Sequence, residues 1–353
     1  MNLKFQRNLE DRKSKGSLRS LLSFENHVDF WSNDYLGLAH TAQSIEVKGS
    51  TGSRLISGNS PKVEAVEKQL AAHFQSEAVL VFNSGYDANL GLFSSLPQKG
   101  DTIIYDELVH ASVRDGIRLS FAKAFSFKHN DVSDLEKKLQ KAEGTVFVAV
   151  ESLYSMDGDL APLKEISELC TKFNALLVVD EAHSGGVFGE QGKGFCYELE
   201  ISDAVFIRVF TLGKAYGAHG AAVCCSEEVR QFLVNFARSF IYTTALPEAM
   251  YTHMLQQIES SRPEILRVQL QENITRFVRE IKSTLSSHRS PIQVIEFSDL
   301  ENCKLKAQQL QDAGIAVKAI LPPTVPAGSQ RLRICIHAFN TKEEINQLIF
   351  LLQ

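Results

Sequence analysis

The sequence predicts an α/β fold: a large domain built on a mostly parallel sheet with helices on both faces, followed by a smaller α+β C-terminal domain. Three observations predict it. Short apolar, β-branched runs recur at "AVLVF" (78–82), "DTIIYD" (101–106), "TVFVAV" (145–150), "ALLVVD" (175–180) and "AVFIRVF" (204–210). These runs are continuous rather than alternating, as in strands covered on both faces. Helical or turn-forming stretches separate them, which is the pattern of parallel strands joined by crossovers. After Pro247 the pattern changes to a long helical stretch interrupted at Pro263, then to strand-like "PIQVIEF", "IAVKAI" and "RLRICIHA". We place an N-terminal segment at 1–40, the large domain at 41–245 and the small one at 246–353.

The elements follow in order. The first 40 or so residues read as a helix and then a short extended piece, "HVDFWSNDYLGL". The stretch "PKVEAVEKQLAAHF" from residue 61 has Pro at a first helical position and an apolar stripe of Val63, Val66, Leu70 and Phe74. The remaining strands each run into a helix or turn: 78–82 into "NSGYDANLGLFSSL", 101–106 into "ELVHASVRDGIRLS", 145–150 into "ESLYSMDGDLAPLKEISELCTKF", 175–180 into "EAHSGG" and 204–210 into "TLGKAYG".

Composition narrows the function classes. A net charge of −5 argues against nucleic acid or an anionic membrane as the main partner. No apolar run approaches the ~18–20 residues of a membrane span. The opening "MNLKFQRNLEDRKSKG" lacks the apolar core of a signal peptide, so a cytoplasmic protein is expected. The six cysteines form no C-x-x-C pair and no Cys/His ligand spacing. They read as buried thiols in a reducing compartment, with no metal site.

In open parallel sheets, ligands bind outside the carboxyl ends of the strands. Here those ends deliver Ser84-Gly85-Tyr86, His110, Glu151 with Ser155, Asp180 with His183, and Thr211 with Lys214. Lys214 sits in "TLGKAYGAHGAAV", with no acidic neighbour. The stretch is either an exposed turn or one whose amine is consumed by chemistry, since burying an unpaired lysine costs several kcal/mol. A phosphate-binding P-loop is excluded, because Arg208 and Ala215 stand where that motif needs Gly and Ser/Thr. A Schiff-base lysine fits better, because a desolvated amine has a lowered pKa and is a nucleophile. Pyridoxal 5'-phosphate then needs an acid for its ring nitrogen, for which Asp180 is the candidate. It needs donors for its phenolic oxygen, from His183 and Ser155. Its phosphate needs backbone amides at a helix N-terminus, where Gly85 and Tyr86 lie. His110 could lie flat on the ring.

With these residues in place, the chain resembles the α-oxoamine synthases of the fold-type I pyridoxal-phosphate enzymes. The stretches that carry the resemblance are "SNDYLGL", "GSTGSRLISGN", "NSGYDANLGL", "DELVHASVRDGIRLS", "ESLYSMDGDLAPL", "DEAHSGGVFGEQGKG", "TLGKAYGAHGAAV", "FIYTTALPE" and "PPTVPAGSQRLRI". They span nearly the whole chain in the family's order. The resemblance implies that Lys214 binds the cofactor covalently, that Asp180 pairs with its ring nitrogen, that His183 and Ser155 hold its phenolic oxygen and that His110 stacks on its ring. It implies phosphate contacts from Gly85, Tyr86 and Thr211. Thr243 or Thr244 would reach the phosphate of a second subunit, giving a homodimer with shared active sites. Arg333 would clamp the amino-acid carboxylate. Alternation puts Arg331 on the same strand face, so the family match, not geometry, chooses Arg333. Thr324, Arg19 and Asn33 are implied as substrate contacts.

The implied activity is a decarboxylating condensation of an amino acid with an acyl thioester. "SMDGDLAPL" and "AILPPTVPAGSQRLRI" favour L-alanine with a pimeloyl group carried on coenzyme A or acyl carrier protein, a biotin-biosynthesis step. A glycine C-acetyltransferase or another synthase of the family is the alternative within the same chemistry, and a non-catalytic paralogue is the alternative outside it. Leu321 and Val63 stand where the family usually has Arg and His, and the stretch before "GSTGSR" is short. These departures touch the acyl-substrate side.

Overall fold

The computed structural model describes residues 4–353 except Ser20, Gln43 and Thr284. By its internal contacts the chain divides into two units: a larger one, Asn33–Ser155 with Asp159–Leu270, and a smaller one, 4–32 with Met156–Gly158 and Gln271–Gln353. These divisions differ from 40 and 246.

The larger unit is built on seven strands: β1 (Ala78–Phe82), β2 (Thr102–Asp106), β3 (Lys123–Phe127), β4 (Val146–Glu151), β5 (Leu176–Asp180), β6 (Ile207–Thr211) and β7 (Ala221–Cys225). Their order across the sheet is β1-β7-β6-β5-β4-β2-β3. All are parallel except β7, which runs antiparallel to both β1 and β6. The α/β reading therefore holds, with two strands added that the sequence pattern did not mark, β3 and β7.

Alternation along each strand divides its side chains between two apolar layers. Leu80, Phe82, Val223 and Val209 pack with helices α2 (Gly85–Ser95), α3 (Ala111–Leu119) and α4 (Glu227–Phe236). Val79, Val81, Ala222 and Phe210 pack with α1 (Pro61–Phe74) and α5 (Glu248–Ser261). Helix α1 starts as its sequence requires: Pro61 occupies the first turn, and the Ser60 hydroxyl accepts from Val63 N at 3.3 Å. Helix α5 belongs to this unit because Tyr251, Met254 and Ile258 complete the second layer.

A buried ion pair crosses that layer. Arg54 donates to Glu67 at 2.8 Å, and Glu67 also accepts from Val81 N at 2.9 Å. All six cysteines are buried, and none is in a disulfide. Burial pushes the thiols of Cys170 and Cys224 up to about 12, and that of Cys303 to about 11.

The smaller unit has a three-stranded antiparallel sheet of β8 (Ile292–Glu296), β9 (Lys318–Ile320) and β10 (Arg331–Cys335), with β10 in the middle. Helices Leu300–Asp312 and Lys342–Leu352 complete it, the second opened by a Thr341/Glu344 capping box. The expected single strand "IAVKAI" is two pieces: Ile315–Ala316 pairs with Val28–Asp29, and Lys318–Ile320 joins the sheet.

Candidate active site

The parallel strands end together, and register fixes what stands side by side. Glu151 at the end of β4 is paired with Asp180 at the end of β5, which faces Val209 of β6. Immediately past β6, the chain turns through Leu212–Gly220. Gly217 N bonds Lys214 O at 2.8 Å, and Ala218 N bonds Leu212 O at 2.8 Å. Gly217 adopts φ 61°, and a Cβ there would collide with the backbone nitrogen of Ala39. This turn holds Lys214 half-buried.

Lys214 Nζ lies 2.7 Å from His183 Nε2. His183 follows β5 and is itself buried. Its Nδ1 lies 2.7 Å from the hydroxyl of Tyr35, which donates to Asn33 Oδ1 at 3.0 Å. Asp180 is held on both oxygens: Oδ2 accepts from Asn89 Nδ2 at 2.7 Å, and Oδ1 from Ala182 N at 2.9 Å. Asn89 lies on α2 and reaches the Ser112 hydroxyl at 3.0 Å, which lies 2.7 Å from His110 Nδ1. His110 Nδ1 also accepts from Ser112 N at 3.2 Å and so caps α3. Burial pushes its imidazole below the usual value, against the pull of Asp180. The fully buried Glu151 is pushed up to about 8 by burial, with the charge of Asp180 adding to it, so it carries a proton at neutral pH.

Gly85 and Tyr86 open helix α2, whose first backbone N–H groups have no acceptor within the helix. A Cβ at Gly85 would collide with Thr211 Oγ1, so the glycine keeps that hydroxyl beside the helix N-terminus. The ring of Tyr86 meets that of His110 edge-on at 6.5 Å, and its hydroxyl bonds Asp115. Thr243 and Thr244 both accept from Asn83 Nδ2, through the hydroxyl at 3.2 Å and the backbone oxygen at 2.9 Å. Ser155 is half-buried in the loop after β4.

The remaining expected residues lie in the smaller unit. Arg19 donates to the Thr324 hydroxyl at 3.1 Å. Arg333 places Nη1 3.0 Å from Cys335 Sγ, whereas Arg331 on the same strand is ion-paired with Asp157.

Three residues escaped sequence reasoning. Asn89 and Ser112 hold Asp180 and His110, and Tyr35 holds His183. Their signal was position alone: Asn89 lies one turn into a helix that starts at a strand end, and Tyr35 two residues past Asn33. The donor set suits a pyridoxal phosphate. An amine, an imidazole, an oriented carboxylate and a glycine-opened helix N-terminus meet at one sheet edge, and the Asn89 Oδ1 atom is buried without a hydrogen-bond partner. Fold and site together define a pyridoxal-phosphate-dependent transferase of fold type I.

A family model for class I and II aminotransferases matches residues 25–350, and the chain belongs to that family. It is 40% identical to the 8-amino-7-oxononanoate synthase of Emericella nidulans, over 97% of this chain and 92% of that one. Among solved structures, the 8-amino-7-oxononanoate synthase of Francisella tularensis aligns with a TM-score of 0.79 at 31% identity, covering 93% of this chain and 97% of that one. A PLP-bound serine palmitoyltransferase of S. paucimobilis aligns with a TM-score of 0.90 at 27% identity, covering 98% and 95%. Within its family the chain is a pyridoxal-phosphate-dependent acyltransferase of the α-oxoamine synthase type, similar to the 8-amino-7-oxononanoate synthases. No helix among the described residues is long and apolar enough to cross a membrane.

Proposed function

We infer that the chain condenses L-alanine with a pimeloyl thioester and releases carbon dioxide, forming 8-amino-7-oxononanoate for biotin synthesis in the cytoplasm. The observation that carries this reading is the meeting of Lys214 and His183 at 2.7 Å beside an Asp180 oriented by Asn89. The names of its relatives favour the substrate pair. Bound pyridoxal phosphate supplies an electron sink for charge developing at the amino-acid Cα.

The residues supply the rest. The Lys214 amine would hold the cofactor and would serve as the base that takes the amino-acid Cα proton. Asp180 keeps a proton on the ring nitrogen. His183 and Ser155 would hold the phenolic oxygen, and His110, whose imidazole burial pushes below its usual value, would cover the ring. Gly85, Tyr86 and Thr211 receive the phosphate at the N-terminus of α2. Thr243 or Thr244 reaches the phosphate of a second subunit, so the active form is a homodimer. Arg333 clamps the amino-acid carboxylate, with Arg331 already committed to Asp157. Arg19, Asn33 and Thr324 meet the substrates, and the acyl group arrives on coenzyme A or acyl carrier protein.

Mass spectrometry of the product made from alanine and pimeloyl thioester tests the reading, with glycine and short acyl thioesters run in parallel. The expected product is 8-amino-7-oxononanoate. Turnover confined to glycine with a short acyl group would make the chain a different synthase of the same family.

A further inference from the structure

A hydrogen-bonded line runs from Lys214 through His183 and Tyr35 to Asn33, with successive separations of 2.7, 2.7 and 3.0 Å. Counting protons gives this line a direction. The carboxamide oxygen of Asn33 can only accept, so the single phenolic proton of Tyr35 is committed to it. The oxygen of Tyr35 therefore meets His183 Nδ1 as an acceptor, and Nδ1 carries the proton. A neutral imidazole protonated there has its lone pair on Nε2, which is the atom facing the Lys214 amine. Tyr35 is fully buried and His183 is 5% exposed, so water does not compete freely for either group.

We propose that Tyr35, oriented by Asn33, sets the tautomer of His183 and is a positioning residue of this site. The arrangement has a consequence that rests on the reading of His183 as a donor to the cofactor's phenolic oxygen. To donate from Nε2, His183 must either gain a second proton or carry its one proton on Nε2 instead of Nδ1, in which case the bare Nδ1 accepts a hydrogen bond from the Tyr35 hydroxyl. The second route breaks the bond from Tyr35 to Asn33 and frees the amide oxygen for another donor. Asn33 and His183 are thus coupled through one hydroxyl.

The test uses the full chain labelled with 15N-histidine, with the His183 signals assigned by comparison with His183→Gln. Without cofactor at neutral pH, Nδ1 is expected to give a pyrrole-like shift and Nε2 a pyridine-like one. Tyr35→Phe should move His183 toward the Nε2–H form. In the loaded enzyme, Tyr35→Phe should retain cofactor but displace the pH titration of its visible band. Should Tyr35→Phe fail to fold, Asn33→Leu serves instead: it removes the amide oxygen that takes the Tyr35 proton, which then turns to Nδ1 and drives the same change. A wild-type His183 protonated on Nε2, or an unchanged tautomer in the folded variant, overturns the proposal. The tautomer is read without substrate, so absence of 8-amino-7-oxononanoate would sink the functional reading and leave this result standing.

Discussion

Asn89 Nδ2 donates to Asp180 Oδ2 at 2.7 Å, joining a helix one turn past β1 to the end of a strand three places away in the sheet. Asn89→Ala would leave one oxygen of a buried carboxylate without its donor, a cost of about 1–3 kcal/mol. We expect turnover to fall by roughly tenfold or more on that scale, with the melting temperature lowered and cofactor still bound. Unchanged kinetics and melting would show that Ala182 N alone orients Asp180.

Lys214→Ala should abolish turnover and remove the visible band of the bound cofactor. Borohydride reduction of the loaded wild-type chain should label one lysine. Peptide mapping that places the label elsewhere would refute the assignment of Lys214.

Glu151 loses its proton near 8 in the folded chain and near 4.5 in its ordinary state. Between those values the folded chain binds more protons, so stability falls as pH rises. Glu151→Gln, neutral and nearly isosteric, should remove that part of the slope and melt higher than wild type at alkaline pH. Parallel melting curves across this window would mean that Glu151 is already ionised in the native protein.

His129 has the opposite charge and the same sign of dependence. It lies 3.0 Å from Asp106 and 2.8 Å from Asp159. Burial lowers its pKa, but hydrogen bonds to these carboxylates outweigh that and raise it to about 10. Its stabilisation is complete below about 6.5 and is lost as pH rises through about 10. His129→Gln should cost roughly 3–5 kcal/mol at neutral pH, because it leaves a buried carboxylate uncompensated. That deficit should shrink toward alkaline pH, and a constant deficit in denaturation experiments would show that His129 is not the charged partner.

Arg331 and Arg333 should separate by phenotype. Arg331→Ala strands Asp157 and should lower the melting temperature without a selective substrate defect. Arg333→Ala should raise the apparent KM for the amino acid far more than that for the thioester, a loss of roughly 2–5 kcal/mol for an unpaired carboxylate. A silent Arg333→Ala beside a selective Arg331→Ala would reverse the roles.

What the sequence made legible follows from where information sits along a chain. The strand β1 is buried at every position, so its apolar run stood out. The strand β3, "KAFSF", lies at the sheet edge with four of its five residues exposed, and so carries no apolar signature. The strand β7, "AAVCC", is small-residue filler between β1 and β6, defined by pairing rather than by composition. Lys214, Asp180 and His183 were legible because they stand at or just past strand ends in stretches with a familiar order. Asn89 and Tyr35 were not, because each acts through a partner 91 or 148 residues away, a separation that only the folded chain closes.

The buried thiols have a practical consequence. A thiolate is the reactive form, and burial here both withholds it and blocks access. Alkylating reagents should therefore pass over the native chain and modify it only when it opens. Cysteine labelling can then serve as a clock for opening, with each modified position reporting which layer came apart first. The same silence leaves the surface chemically blank, so a single cysteine introduced there would accept a probe without removal of the native six.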